Sequence, residues 1–146
     1  MAEFATSIDI DAAPEAVFRF LTTNDGMTAW MGQWADLDAR PGGQFAVDIF
    51  GNPVRGEFLE VEAPHRVVVS WGYAGSEDLP PGLSRVVFTL TPIGTGTRVD
   101  LLHTDLPERR SAGHALGWQY FVERLALAGA GIDPGPDTWT PGDVTM

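Results

Sequence analysis

Three histidines, His65, His103 and His114, are the side chains in this sequence best suited to proton chemistry near neutral pH. His103 stands in the run Val99, Leu101, His103, alternating with Asp100, Leu102 and Thr104. In an extended segment it therefore shares the apolar side and should point inward. A neutral imidazole there can hydrogen-bond a ligand, act as a base, or sit as a core histidine satisfied by a neighbour. His114 lies four residues before Trp118, a helical spacing that turns both to one side, so it can approach His103. Two histidines without a third ligand make a poor metal site, and no metal is expected. His65 follows Pro64 in a turn and reads as surface.

Other constellations give little. There is no cysteine, hence no thiolate nucleophile, thiolate metal site or disulfide framework. Ser70 has the parity opposite to Trp71, and Ser84 and Ser111 stand near element ends. None lies in a Gly-x-Ser-x-Gly elbow, so no nucleophile is assigned. Asp48 alternates with Val47 and Ile49 and should face solvent. Glu57 and Glu60 lie in a strand of unsettled parity, where one can reach a cavity rim. No pair of carboxylates is placed well enough for an acid–base dyad. Gly42-Gly43 and Gly94-Thr95-Gly96 read as turns: the chain has no lysine for a phosphate loop and no dinucleotide spacing. No cofactor and no catalytic residue follow from these patterns. Trp71 and Trp118 can stack on a flat ligand or simply fill a core, and Tyr73 adds a hydroxyl to a packing ring.

The elements that must position these groups follow from periodicity. Phe4 to Ile10 suits a first strand. Pro14 and Glu15 open a helix carrying Val17, Phe18 and Leu21, which breaks at Thr22–Gly26. A short second helix carries Met27, Trp30 and Met31. Turns rich in Gly and Pro then separate five strands around Phe45–Ile49, Val54–Glu62, Val67–Tyr73, Val86–Leu90 and Val99–His103. In the second of these, Phe58, Leu59 and Val61 do not keep one parity, which predicts a bulge or an irregular end. From about Arg109 the pattern returns to helix, with Trp118, Phe121, Val122 and Leu125 on one face and Gln119, Glu123 and Arg124 away from it. Gly129 and Gly131 end it. Residues 132–146 form an irregular tail, docked through Trp139. The expected fold class is α+β: an antiparallel meander with one long C-terminal helix, in a single domain over residues 1–131 plus that tail.

The chain has 146 residues and a formal net charge of −11. That charge argues against nucleic acid as a partner and against electrostatic attachment to anionic membranes. The first residues lack the basic and apolar regions of a signal peptide, and no apolar run is long enough to span a bilayer. The simplest placement is cytoplasmic.

A curved sheet crossed by one helix leaves a gap that is either plugged or a pocket. Trp30, Phe45, Trp71, Tyr73, Phe88, Trp118 and Phe121 stand where they would line or plug it. Several segments, in order along the chain, then carry a family resemblance: Ala13-Pro14-Glu15-Ala16-Val17-Phe18, Trp30, Arg40-Pro41-Gly42-Gly43-Gln44-Phe45, Arg55-Gly56-Glu57-Phe58-Leu59-Glu60-Val61, Pro64-His65-Arg66-Val67-Val68-Val69-Ser70-Trp71, Gly96-Thr97-Arg98-Val99, His103, Gly117-Trp118 and Leu125. The sequence resembles the START-like superfamily, in the branch named for the C-terminal domain of the activator of Hsp90 ATPase. The resemblance implies the helix-grip fold, a curved antiparallel sheet wrapped around the C-terminal helix, with two short helices after the first strand.

The family includes binders of hydrophobic molecules, some enzymes and co-chaperones. The first expectation is therefore a binding module for a small hydrophobic or aromatic molecule, entering between the 74–82 loop, the second short helix and the last helix. Its ligand-facing residues would be Trp30, Phe45, Val47, Val69, Trp71, Tyr73, Phe88, Leu101, His103, Trp118 and Phe121. The second is a cyclase or hydrolase using His103 as acid–base with a titratable partner. The third is a protein-interaction domain, co-chaperone-like or a homodimer built on an exposed apolar patch.

Overall fold

The structure is a computed structural model and describes residues 1–139. The first strand, β1 (Ala2–Ile10), alternates exposed and half-buried side chains, as expected of a strand with one face on the core. Helix α1 (Pro14–Thr22) starts at the proline and buries Val17 and Leu21. Helix α2 (Asn24–Thr28) is capped by the Thr23 hydroxyl, which accepts from the Gly26 N–H at 3.1 Å. It stops earlier than its apolar residues suggest. Trp30 and Met31 lie in the turn beyond it, where the Trp30 indole donates to the Phe20 carbonyl at 2.9 Å.

Six further strands follow: β2 (Trp34–Leu37), β3 (Gln44–Ile49), β4 (Asn52–Glu62), β5 (Arg66–Tyr73), β6 (Ser84–Ile93) and β7 (Gly96–Leu106). They form one sheet with β1 in the order β1-β7-β6-β5-β4-β3-β2. Every neighbouring pair is antiparallel. Strand β2 was not expected from sequence, since its four residues are too few to display a period. The irregularity expected in β4 is present: Phe58 pairs with Val69 and Glu60 with Val68, so Leu59 is an extra residue and the side chains beyond it change face. The β3–β4 hairpin turns through Phe50 and Gly51, both at positive φ, the conformation of the tight turn that suits strand twist.

Strand β5 is buried on both faces, and the 74–83 segment doubles back over its C-terminal end. The Tyr73 N–H donates to the Leu79 carbonyl at 2.8 Å. A Cβ at Gly72 would collide with the Pro80 carbonyl, so the crossing requires glycine there. Helix α3 (Glu108–Gly129) lies across the inner face and buries His114, Trp118, Phe121, Val122 and Leu125. It closes with Gly131 at positive φ and a bond from the Ile132 N–H to the Leu127 carbonyl at 2.9 Å.

Residues 132–139 then run back along α3 as an irregular strap, and Trp139 packs on Tyr120 and Phe121. Residues 140–146 of the expected tail lie outside the described residues. Among the described residues no helix is long and apolar enough to cross a membrane.

Candidate functional site

Beneath the first half of α3, two imidazoles meet from opposite sides, one from the sheet and one from the helix. His103 comes from β7 and His114 from α3, with ring centroids 5.2 Å apart and planes nearly perpendicular. Trp71 from β5 packs edge-on against both, and Trp118 lies 5.1 Å from Trp71 between ring centroids. Both histidines are almost fully buried, at 0% and 2% exposure.

Their partners fix the protons. An indole N–H only donates, so the bond from Trp118 Nε1 to His103 Nδ1 at 3.0 Å makes that nitrogen an unprotonated acceptor. In the neutral ring Nε2 then carries the proton and donates to Ser84 Oγ at 2.8 Å, and the Ser84 hydroxyl donates onward to the Trp71 carbonyl at 2.7 Å. His114 has the opposite tautomer. Its Nδ1 faces the Arg110 carbonyl at 2.9 Å and must donate. Its Nε2 accepts from Trp71 Nε1 and from the Tyr73 hydroxyl, each at 3.2 Å.

Burial keeps both rings neutral. His103 is pushed well below the ordinary histidine value, by burial first and then by neighbouring His114. His114 is lowered to about 4, chiefly by burial. The Tyr73 phenol is pushed up to about 12, again mainly by burial. Among the described residues no buried side-chain nitrogen or oxygen lacks a hydrogen-bond partner.

This wiring bears on catalysis. Ser84 and His103 make a serine–histidine contact, but the shared proton sits on the histidine, and the serine hydroxyl already donates to a carbonyl. His103 Nε2 cannot take the serine proton in that tautomer, and the nitrogen that a carboxylate would orient in a hydrolase triad instead receives an indole N–H. No acid stands within hydrogen-bond reach of His103 among its partners Ser84 and Trp118. Glu57 is exposed, and Glu60 is turned to Arg66 at 3.2 Å, so neither carboxylate enters the interior. Among the described residues no group of three His, Asp or Glu could hold a metal.

The interior retains a cavity of about 10 Å³, lined by Met31, Ile49, Trp71, His114, Gly117, Trp118 and Phe121. That is room for one water at most. In this conformation the gap between sheet and helix is plugged by aromatics, and a ligand does not fit without movement.

Of the eleven residues expected to face a ligand, Trp71, Trp118 and Phe121 line this cavity. Tyr73 and His103 stand directly behind it through His114 and Trp118. Phe45, Val47, Val69, Phe88 and Leu101 are buried core on the inner sheet face, with Phe45 edge-on to Phe58 and Phe88 edge-on to Trp118. Trp30 is buried outside the cavity lining and tied to α1 through the Phe20 carbonyl. Met31, Ile49, His114 and Gly117 line the cavity without having been expected. Ile49 has the parity of Phe45 and Val47, and Gly117 stands four residues before Phe121 on α3, so both signals were present.

The expected entrance beside the 74–82 loop is bolted shut. Asp78 receives Arg110 through Nε and Nη2 at 3.0 and 2.8 Å, and Arg109 lies 3.2 Å away. The Arg110 bonds hold the Asp78 carboxyl well below the usual carboxylate range. Arg110 also covers the Tyr73 ring, and Leu79 is fully buried beneath the loop. The cavity itself lies between α3 and the Met31 turn, with Ile49 and Trp71 of the sheet.

The model of the family described as activator of Hsp90 ATPase homolog 1-like protein matches residues 11–128. Among solved structures, the AHSA1-like protein from Rhizobium etli is 38% identical, with 95% of this chain and 89% of that chain covered and a TM-score of 0.72. CalU16 from Micromonospora echinospora is 29% identical over 92% of this chain and 77% of that chain, with a TM-score of 0.74. The Aha1 dimer from Colwellia psychrerythraea is 21% identical over 94% and 100%, with a TM-score of 0.78, and shows likeness of fold. Comparison with curated proteins gives no match.

Proposed function

This chain belongs to the activator of Hsp90 ATPase homolog 1-like family, and on that footing we propose that it binds a small, flat, mostly apolar molecule in the space beneath Gly117, which opens when α3 parts from the Met31 turn. One observation carries this reading. The residual void in the core coincides with Gly117, where α3 presents no side chain, and adjoins the buried polar corner of Trp71, Tyr73 and His114. Apolar lining with a few convergent polar groups is the usual composition of a small-molecule site.

The corner also sets the preferred chemistry. Two donors, the Trp71 indole and the Tyr73 hydroxyl, converge on one imidazole lone pair, and both bonds are long at 3.2 Å. A ligand oxygen entering the space can take one donor and leave the other a full bond to His114. A neutral acceptor such as a ketone is therefore favoured. A carboxylate is disfavoured by burial and by the overall charge of −11.

The test is a titration of protein carrying ¹⁵N-labelled tryptophan with 1-indanone and with indane, which has the same frame without the carbonyl. A saturable shift of the Trp71 indole is expected, with the ketone binding about five- to tenfold tighter, the worth of one net hydrogen bond. If neither molecule gives saturable binding, the ligand reading fails.

A second reading is a protein-interaction role. Trp34 and Phe50 are 46% and 48% exposed at one corner of the sheet, where the Phe50 N–H bonds Gln33 next to Trp34. The Colwellia protein is described as a dimer, and a homodimer through this corner is the form this reading takes. A concentration-independent monomer mass in sedimentation would remove it.

A further inference from the structure

From the contacts of residues 132–139 we infer that the C-terminal strap is a latch that holds the cavity shut and sets how readily the protein takes a ligand; this rests on the ligand-binding reading above. The cavity has two separable walls, α3 at Gly117 and Phe121 and the turn carrying Met31. The strap and its anchors tie these walls together. From α3, Arg124 donates to the Trp30 carbonyl at 3.1 Å, next to Met31, and also to the carbonyls of Pro134, Gly135 and Pro136 at 3.1–3.4 Å.

Tyr120 holds the next residues. Its hydroxyl donates to Asp137 Oδ1 at 2.9 Å and accepts from the Thr138 N–H at 3.0 Å. The other oxygen of Asp137 lies 3.5 Å from the Gln33 amide, two residues past Met31. Trp139 finishes the strap by packing on Tyr120 and on Phe121, itself a cavity wall. One guanidinium and one carboxylate thus each bridge α3 or its strap to the Met31 turn. Parting the walls requires breaking both bridges.

If the open form is a minor state, its population multiplies the apparent affinity, so loosening the latch tightens binding without any new contact to ligand. The experiment compares the wild-type chain with Tyr120→Phe/Arg124→Gln, which removes the bonds from α3 to the Trp30 carbonyl and to the strap but keeps every ring, so that the Asp137–Gln33 contact no longer ties the turn to α3, and with Trp139→Ala, which removes the ring but keeps the bonds. Far-UV circular dichroism and the remaining indole resonances check that each stays folded. The double variant is expected to bind 1-indanone about tenfold tighter than wild type, and Trp139→Ala, which leaves both bridges in place and loosens only the packing of the strap, about two- to threefold tighter. Adding Gly117→Val to either should abolish the gain, since a side chain there fills the void.

Unchanged affinity in both variants, with wild type still binding, overturns the latch and leaves the ligand reading standing. A gain that survives Gly117→Val also overturns it, because the probe is then elsewhere. No saturable binding by wild type overturns the ligand reading, and the latch that rests on it falls with it.

Discussion

At the residue scale, each of the two buried histidines has both ring nitrogens hydrogen-bonded. Their opposite tautomers follow from partners that have a single role: an indole can only donate, and a carbonyl can only accept. Long-range ¹⁵N spectra should show His103 protonated at Nε2 and His114 protonated at Nδ1; the same tautomer at both would contradict the wiring. Trp118→Phe keeps a ring in place but strands His103 Nδ1 without a donor, and a buried acceptor so orphaned costs about 1–3 kcal/mol. Urea unfolding at neutral pH would measure that loss, and no change would mean that water or another donor reaches the imidazole.

The same two residues set an acid sensitivity. In the folded state His114 is lowered to about 4 and His103 lies well below 6.5, so the unfolded chain takes up protons first as pH falls. Stability is therefore full above the ordinary histidine value and declines below it, at about 1.4 kcal/mol per pH unit for each histidine. Between about pH 7.5 and about pH 5 the combined loss is expected to be about 2–4 kcal/mol, before most carboxylates begin to titrate. His114→Gln, which keeps an acceptor for Trp71 and Tyr73, should roughly halve the slope. A flat unfolding free energy across this window would show that the rings are charged or hydrated in the native state.

At the element scale, the sheet and the long helix were legible because their periods are sustained. Alternation in the strands around Phe45, Trp71, Phe88 and Leu101 gave the inner face, and the break at Phe58–Leu59–Val61 gave the bulge. Strand β2 was not legible, because four residues with one buried Ala35 carry no period. The role of Arg124 was hidden for a different reason. Its spacing places it off the apolar stripe, yet its long side chain reaches back to the Trp30 carbonyl, a contact that depends on where a distant turn comes to rest. The candidate site was legible as a list of aromatics and His103, but not as a closed core. Sequence gives the identity of large side chains facing inward, not the small volume left between them. The bolt on the 74–83 loop was equally unreadable, since Asp78 and Arg110 lie 32 residues apart. Asp78→Asn leaves the Arg110 guanidinium without its carboxylate. It should free the loop before the sheet, seen as faster proteolysis and amide exchange at residues 74–83 with the β6–β7 amides unchanged. Uniform loosening of the sheet would mean that the loop is integral to the fold.

At the scale of the whole molecule, 20 acidic residues face only nine arginines. Several arginines are held in local pairs, such as Arg98 with Asp9 and Arg55 with Asp48, and these are largely exposed or half-exposed. Exposed pairs contribute little to stability and lose little when salt screens them. The uncompensated acids repel one another over the entire surface, and that repulsion is screened within about 8 Å at physiological ionic strength. The two effects have opposite signs, and the excess of acids decides between them. Raising sodium chloride from about 20 mM to about 300 mM should therefore increase the melting temperature by a few degrees at pH 7.5. The gain should largely persist as pH falls toward 5, because the emerging histidine penalty comes from burial and is the same at either salt concentration, and should shrink only where the carboxylates themselves take up protons. A fall in melting temperature with salt would instead mean that a few pairs dominate, with the half-buried Asp78–Arg110 bridge over Tyr73 the first to examine, since it is the least accessible to screening ions.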